Sequence, residues 1–293
     1  MRFTRLIIFG ILALAHLTGS AQVSPAEREA LLEIFQSTNG LHWVRKWNPE
    51  TPVNQWHGVT VENGHVVKLE LFHNNLMGPL PESIGALQEL KVLNLAFNNL
   101  TGTLPESVFS LKKLQTFKIE MNRLKGKIPD QIGDMKDLVE LSAFNNFLSG
   151  RIPSRIGELK KLEILNLSSN MVIGRIPEAI GQLGELEVLG LFENQLFGEI
   201  PESIGNLTAL RELVLSNNRL GGAIPESFGQ LAQLEVLQLQ HNEFDDYKGL
   251  GSVITRQLLV FDYDVEKSEI DYKSLNFSRT RMADTKFEDV DNE

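Results

Sequence analysis

The 293-residue chain contains no cysteine. That excludes a disulfide framework, a thiolate nucleophile, a cysteine-ligated metal and a lipidated cysteine. Cations are also in deficit, with 28 Lys and Arg against 38 Asp and Glu for a net charge of −10. A phosphate backbone or an anionic bilayer selects a Lys/Arg-rich face, so neither nucleic acid nor a membrane surface is an expected partner. Aromatic residues make up only 8%. Long apolar runs are missing beyond the N-terminus, so no membrane span is expected in the body of the chain. There is no GxSxG, HExxH, P-loop or GxGxxG with an acidic partner, so the expectation is a non-enzymatic protein without cofactor or metal.

The N-terminus has the layout of a secretory signal peptide. Arg2 and Arg5 precede an apolar stretch from Leu6 to Leu17, followed by Gly19-Ser20-Ala21. Cleavage near Ala21 would leave a chain exported to the periplasm, the cell surface or the medium. An exported chain without disulfides must draw its stability from its core.

What the sequence has in abundance is repetition. Asn74, Asn98, Asn122, Asn146, Asn170, Asn194, Asn218 and Asn242 recur every 24 residues. Prolines at 81, 105, 129, 153, 177, 201 and 225 keep the same step, each three residues after a glycine. The frame is LxxLxLxxNxLxGxIPxxIGxLxx, and a period of this kind marks a solenoid. Alternating leucines in LxxLxL predict a short strand with one buried face. Stacked coils would align these strands into one parallel sheet. The asparagine amide is suited to backbone groups of the turn that would otherwise be buried unpaired. Glycine permits a tight bend and proline fixes φ.

These motifs resemble the plant-type leucine-rich repeat, whose hallmark is the LxGxIPxxIGxL half. The resemblance covers residues 66–242 and implies an α/β leucine-rich repeat solenoid. It would form a right-handed curved superhelix with a parallel β-sheet on the concave face and an irregular, 3-10-rich convex side. The region before it resembles the N-terminal cap of plant receptor ectodomains, but without their paired cysteines. In that respect it is similar to cysteine-free repeat proteins exported by bacteria.

The expected organisation is a signal peptide (1–21), a Trp-rich cap of helix plus hairpin (22–65), eight repeats (66–257), and a degenerate ninth strand with an acidic tail (258–293). Ser24-Pro25-Ala26-Glu27 is a capping box that predicts a helix to about Gln36. Asn63-Gly64 predicts a hairpin. The last 51 residues carry 13 Asp/Glu and 7 Lys/Arg, and from about Ser268 the composition predicts weak order. Trp43, Trp47 and Trp56 read as packed cap core, with a sugar platform as the alternative. His57, His65 and His73 lack the third ligand that a metal site needs. Asn99, Asn166, Asn206 and Asn276 stand in N-x-S/T sequons.

Function then falls to the residues that the frame leaves free. The pairs preceding each asparagine supply Phe72, His73, Phe97, Met121, Phe144, Phe192 and Glu193. With Lys118, and beside Glu70, Asn94, Asn166 and Gln238, they form an intermittent apolar stripe on a polar surface. Such a stripe suits a protein or peptide ligand, although phenylalanine also simply fits strands. Two other readings stay open. One is glycan recognition, since plant polygalacturonase-inhibiting proteins share the architecture. The other is a structural or adhesive surface protein docked through its acidic tail.

Overall fold

The computed structural model describes residues 23–251, 253 and 258–264. The signal-peptide segment and the acidic tail from Val265 onward lie outside the described residues. The cap opens with helix α1 (Pro25–Ser37), where the Ser24 hydroxyl accepts from the Glu27 N–H at 3.2 Å. Strands β1 (Val59–Glu62) and β2 (His65–Glu70) form the antiparallel hairpin around Asn63 and Gly64, both at positive φ.

From β2 onward each coil adds one three-residue strand in parallel, giving a ten-stranded sheet that ends at Val260–Asp262. Registers are fixed by a column of inward residues at one position of the frame: Leu69, Leu93, Phe117, Leu141, Leu165, Leu189, Leu213 and Leu237 pair in series. Each is at most 3% exposed. A one-residue slip would turn that whole column outward, so the leucine pattern dictates the pairing. At about 1.5–3 kcal/mol for each buried large apolar side chain, the column is a principal source of cohesion.

Behind this sheet, each asparagine side chain ties two coils together. Asn98 Nδ2 donates to the Leu71, Leu95 and Ala96 carbonyls at 2.8–3.0 Å. Its Oδ1 accepts from the Asn74 and Leu76 N–H groups at 3.0 and 2.9 Å. The arrangement repeats through Asn122, Asn146, Asn170, Asn194, Asn218 and Asn242, whose Oδ1 atoms accept from Leu100, Leu124, Leu148, Val172, Leu196 and Leu220. Asn74 uses the same chemistry to hold the cap, accepting from Arg45 N–H at 2.6 Å and donating to Arg45 O at 3.2 Å.

After the asparagine comes a second strand, of three to five residues in the coils from Lys125 onward. Six of these, from Lys125–Lys127 to Glu243–Asp246, form a second parallel sheet. The repeated glycine then turns the chain at positive φ (79° at Gly198). The IPxxIG segments close the coil as five-residue 3-10 helices such as Glu202–Asn206. Their glycine permits contact between coils: a Cβ on Gly205 would lie 2.4 Å from Ser227 Cβ and 2.6 Å from its carbonyl oxygen.

Candidate functional site

The exposed side of the ten-stranded sheet is built from the residues between the inward leucines, together with the pair before each asparagine. The two members of that pair have different geometry. The second, His73, Phe97, Met121, Asn145, Ser169, Glu193, Asn217 or His241, adopts φ of 47–57°. None of these is glycine, and a left-handed conformation costs an L-residue roughly 1–2 kcal/mol. The first member (Phe72, Ala96, Glu120, Phe144, Ser168, Phe192, Ser216, Gln240) continues the strand side. The single stripe expected from sequence is therefore two rows, with Phe72, Phe144 and Phe192 in one and Phe97 and Met121 in the other.

The rows meet at the N-terminal end, where the Phe72 ring lies 5.1 Å from Phe97 and 6.1 Å from the His73 imidazole. Further along, Asn145 Nδ2 approaches Met121 Sδ at 2.9 Å. Lys118 pairs with Glu140, Nζ to Oε1 at 3.0 Å, so it is an engaged cation. Glu193 accepts from the Ser169 hydroxyl at 2.7 Å. Phe192 packs against Val214, Val236 and Val260. Those valines floor the C-terminal third of the face and were absent from the sequence-based set. Their only sequence signal is apolar character at outward strand positions.

Asn166 departs from expectation. It is 6% exposed, with Oδ1 accepting from Ser168 N–H at 3.1 Å. It is thus part of the sheet's own bonding and does not line the surface.

The first row has a further property. Glu120 Oε2, Ser168 Oγ, Ser216 Oγ and Gln240 Oε1 are buried and have no hydrogen-bond partner. Buried polar atoms are nearly always paired, so each exception needs a reason. Two aromatic rings stand among them: Glu120, Phe144, Ser168, Phe192, Ser216 and Gln240 lie on consecutive coils, with Gln240 directly after Ser216. Neighbouring strands are about 4.8 Å apart, so hydrogen-bonding and apolar points interleave along the face.

Glu120 is 1% exposed. Burial pushes its carboxyl above the usual carboxylate range, with Lys118 and Ser142 opposing and Glu140 reinforcing the shift. A raised native pKa means that stability present at low pH is lost as pH rises from the unfolded-state value through the native one. Glu120→Gln should remove that decline. Urea denaturation at pH 4 and pH 8 should show a smaller loss between the two for the variant than for the wild type.

In the cap, Trp43, Trp47 and Trp56 are 2–4% exposed. Their indole N–H groups donate to the carbonyls of Thr38, of His57, and of Asn48 and Thr51. They are core and present no sugar platform. Among the described residues, no three His, Asp or Glu side chains are grouped to hold a metal ion, and no helix is long and apolar enough to cross a membrane.

Family models agree with this geometry. A leucine-rich repeat region matches residues 145–258 and a leucine-rich repeat matches residues 88–148. The chain belongs to the leucine-rich repeat family, in its plant-type class. No curated protein matches it in sequence.

Among solved structures of this family, the ectodomain of the Arabidopsis thaliana receptor kinase GASSHO1/SCHENGEN3 is in complex with CASPARIAN STRIP INTEGRITY FACTOR 2. It aligns with a TM-score of 0.75 at 31% identity, covering 80% of this chain and 29% of that one. The Arabidopsis receptor kinase HAESA ectodomain, in complex with an IDA peptide hormone ligand, aligns at 0.59 and 28%, covering 81% and 44%. A Leptospira interrogans leucine-rich repeat protein aligns at 0.56 and 34%, covering 66% and 47%. The chain therefore spans less than half of each of these relatives.

Proposed function

We propose that this leucine-rich repeat chain is an exported, non-catalytic module that binds a peptide or a protein segment across its ten-stranded sheet. The observation that carries the proposal is the row in which Phe144 and Phe192 stand among the unpaired polar atoms of Glu120, Ser168, Ser216 and Gln240. A polypeptide along this row would bring apolar side chains to the rings and the valine floor, and its main-chain N–H and C=O groups would draw the buried polar side chains out to meet them. The IDA peptide hormone ligand in the HAESA complex supports the same reading. Phe72, His73, Phe97, Lys118, Met121 and Glu193 would line the path of the ligand at its sides and N-terminal end. Burial of the cap tryptophans removes one support for glycan recognition. The similarity to the Leptospira protein fits a cysteine-free bacterial member of the family.

The test is a screen of the chain from Gln22 onward against peptide and cell-wall glycan arrays, with Phe144→Ala/Phe192→Ala alongside. A peptide hit should weaken by about thirty-fold or more in the double variant, the effect of a ~2 kcal/mol hot spot. A hit on glycans alone, or a peptide hit untouched by the double variant, would overturn the assignment.

A further inference from the structure

The second sheet leaves its outer face open, and that face gathers cations in a chain whose net charge is −10. Along its strands, Leu148, Val172, Leu196, Leu220 and Phe244 are buried, while the residues on either side of each turn outward. Four of those outward residues are large and apolar, on three adjacent strands: Phe147 (53% exposed), Met171 (46%), Ile173 (43%) and Phe197 (45%). A contiguous exposed apolar group of this kind marks an interaction surface.

Cations stand among these residues. The strand pairing sets Lys125 beside Phe147, Lys127 and Met171 on either side of Ser149, and Phe197 beside Arg219. At the glycine edge of the face, Lys127, Arg151 and Arg175 lie across the positive-φ glycine of the following coil. A Cβ on Gly150, Gly174 or Gly198 would come within 2.9–3.2 Å of their stems. Arg123, Lys125, Lys127, Arg151, Arg175 and Arg219 are all exposed, and none forms a salt bridge among the described residues. By contrast, cations on the segments that lead from the 3-10 helices back to the main sheet are neutralised in place. Lys113 pairs there with Glu89, Lys136 with Glu158, Lys161 with Asp137 and Arg211 with Glu235. The open face turns acidic only towards its C-terminal end, at Glu199, Glu243 and Asp245.

We infer that this face holds residues 284–293 of the same chain. That segment reads DTKFEDVDNE, with Asp284, Glu288, Asp289, Asp291 and Glu293 against Lys286, and with Phe287 and Val290 among the acids. It is the chemical complement of the face. Its carboxylates suit the unpaired Arg and Lys groups, and Arg binds a carboxylate through two N–H donors at once. Phe287 and Val290 suit the apolar group of Phe147, Met171, Ile173 and Phe197. The segment also reaches. The described residues end at Asp264, on the last coil of the array. Residues 265–283 form the tether and can extend roughly 60 Å. The coils from Arg123 to Arg175 lie only about 20–30 Å back along the array, at ~4.8 Å per strand. A tether of this kind holds its end at an effective concentration of roughly millimolar, ahead of any dilute acidic partner. The ten-stranded sheet is a poorer seat, because Glu193, Asp262 and Asp264 stand along its C-terminal part and would repel the acids. Docked on the second sheet, the segment covers the apolar group and leaves the proposed ligand surface open.

The test is pulsed dipolar electron paramagnetic resonance on the chain from Gln22 onward, which has no cysteine of its own to compete for labels. One nitroxide pair is placed at Ser149→Cys and Asn292→Cys, neutral positions on the face and in the segment. The control pair joins Asn292→Cys to Thr208→Cys, an exposed position on the turn after Glu202–Asn206 that lies nearer to Asp264 along the array. A free tail would spread over roughly 30 Å about Asp264, so the docked state is scored as label pairs within about 20 Å. At low salt the Ser149 pair is expected to hold at least about three-fold more of these short distances than the control. The excess should vanish in Arg123→Glu/Lys125→Glu/Arg151→Glu. All three positions are exposed, so far-UV circular dichroism should show that variant folded. A Ser149 distribution as broad as the control would overturn the inference, and so would a short population that survives the charge reversal. A short population lost on dilution with unlabelled protein would overturn it too, by assigning the segment to a neighbouring copy.

Discussion

Replacing Asn122 by alanine is expected to cost about 3–5 kcal/mol, in the range seen when a buried hydrogen-bond network is broken. It should also separate unfolding into two transitions. The Asn122 amide donates to the carbonyls of Leu95, Ile119 and Glu120 at 3.0–3.1 Å, and its Oδ1 accepts from Leu100 N–H at 2.9 Å. Truncation leaves these buried main-chain groups without their partner, each at a desolvation cost of about 1–3 kcal/mol. The site admits no other side chain to take over, because the surrounding core residues Leu95, Leu100, Ile119 and Leu124 are all 0% exposed. In a solenoid each coil touches only its neighbours, so a weak coil near the middle of the array uncouples the two sides. The sequence supplies the probe for this. All three tryptophans lie in the cap, so their fluorescence reports the N-terminal block while far-UV circular dichroism reports the whole array. Wild-type midpoints should coincide and those of Asn122→Ala should separate. A loss below about 1 kcal/mol with coincident midpoints would mean that water replaces the amide, and would remove the asparagine ladder from the account of stability.

The ladder was legible in the sequence because each asparagine must meet the same backbone groups one coil away, which forces a strict period. The same holds for the column from Leu69 to Leu237 and for the glycine and proline that end each coil. What the sequence could not separate were the two residues before each asparagine. Phe97 and Met121 are left-handed at φ 55°, a conformation usually flagged by glycine or asparagine. Here it is imposed by the turn into the ladder, so no local signal marked it, and one stripe became two rows. The valine floor was hidden for another reason. Val214, Val236 and Val260 are ordinary strand residues by propensity, and only the stacking of their coils brings them together beside Phe192. Burial of Asn166 is equally a property of neighbouring strands. The apolar residues of the second sheet sit beside the leucine in NxLxG. That short segment does alternate in burial, but its outward residues change from coil to coil, so periodicity cannot find them.

The cap should be the other point of large effect, with Trp43→Ala costing about 3–5 kcal/mol as a fully buried aromatic reduced to a methyl group. The Trp43 ring stands edge-on to Phe35 at 5.1 Å and to Trp47 at 4.9 Å, and Trp47 in turn stacks on Trp56 at 4.8 Å. Its indole N–H donates to the Thr38 carbonyl at 3.0 Å, and the same carbonyl accepts from Met77 N–H in the first coil at 2.9 Å. Two residues further on, Arg45 holds the side chain of Asn74. Trp43 therefore braces the segment through which the cap engages the asparagine ladder, and its loss should expose the first coil as an open end. Open solenoid ends associate, so the variant should lose its tryptophan transition first and then aggregate on heating, seen as light scattering. Leu41→Ala and Val44→Ala are the controls. Both residues flank Trp43 in sequence but are 71% and 70% exposed, so each change should stay within about 0.5 kcal/mol. A Trp43→Ala protein as stable as these controls would mean that the aromatic cluster does not hold the cap. The three tryptophans would then again be candidates for a binding role.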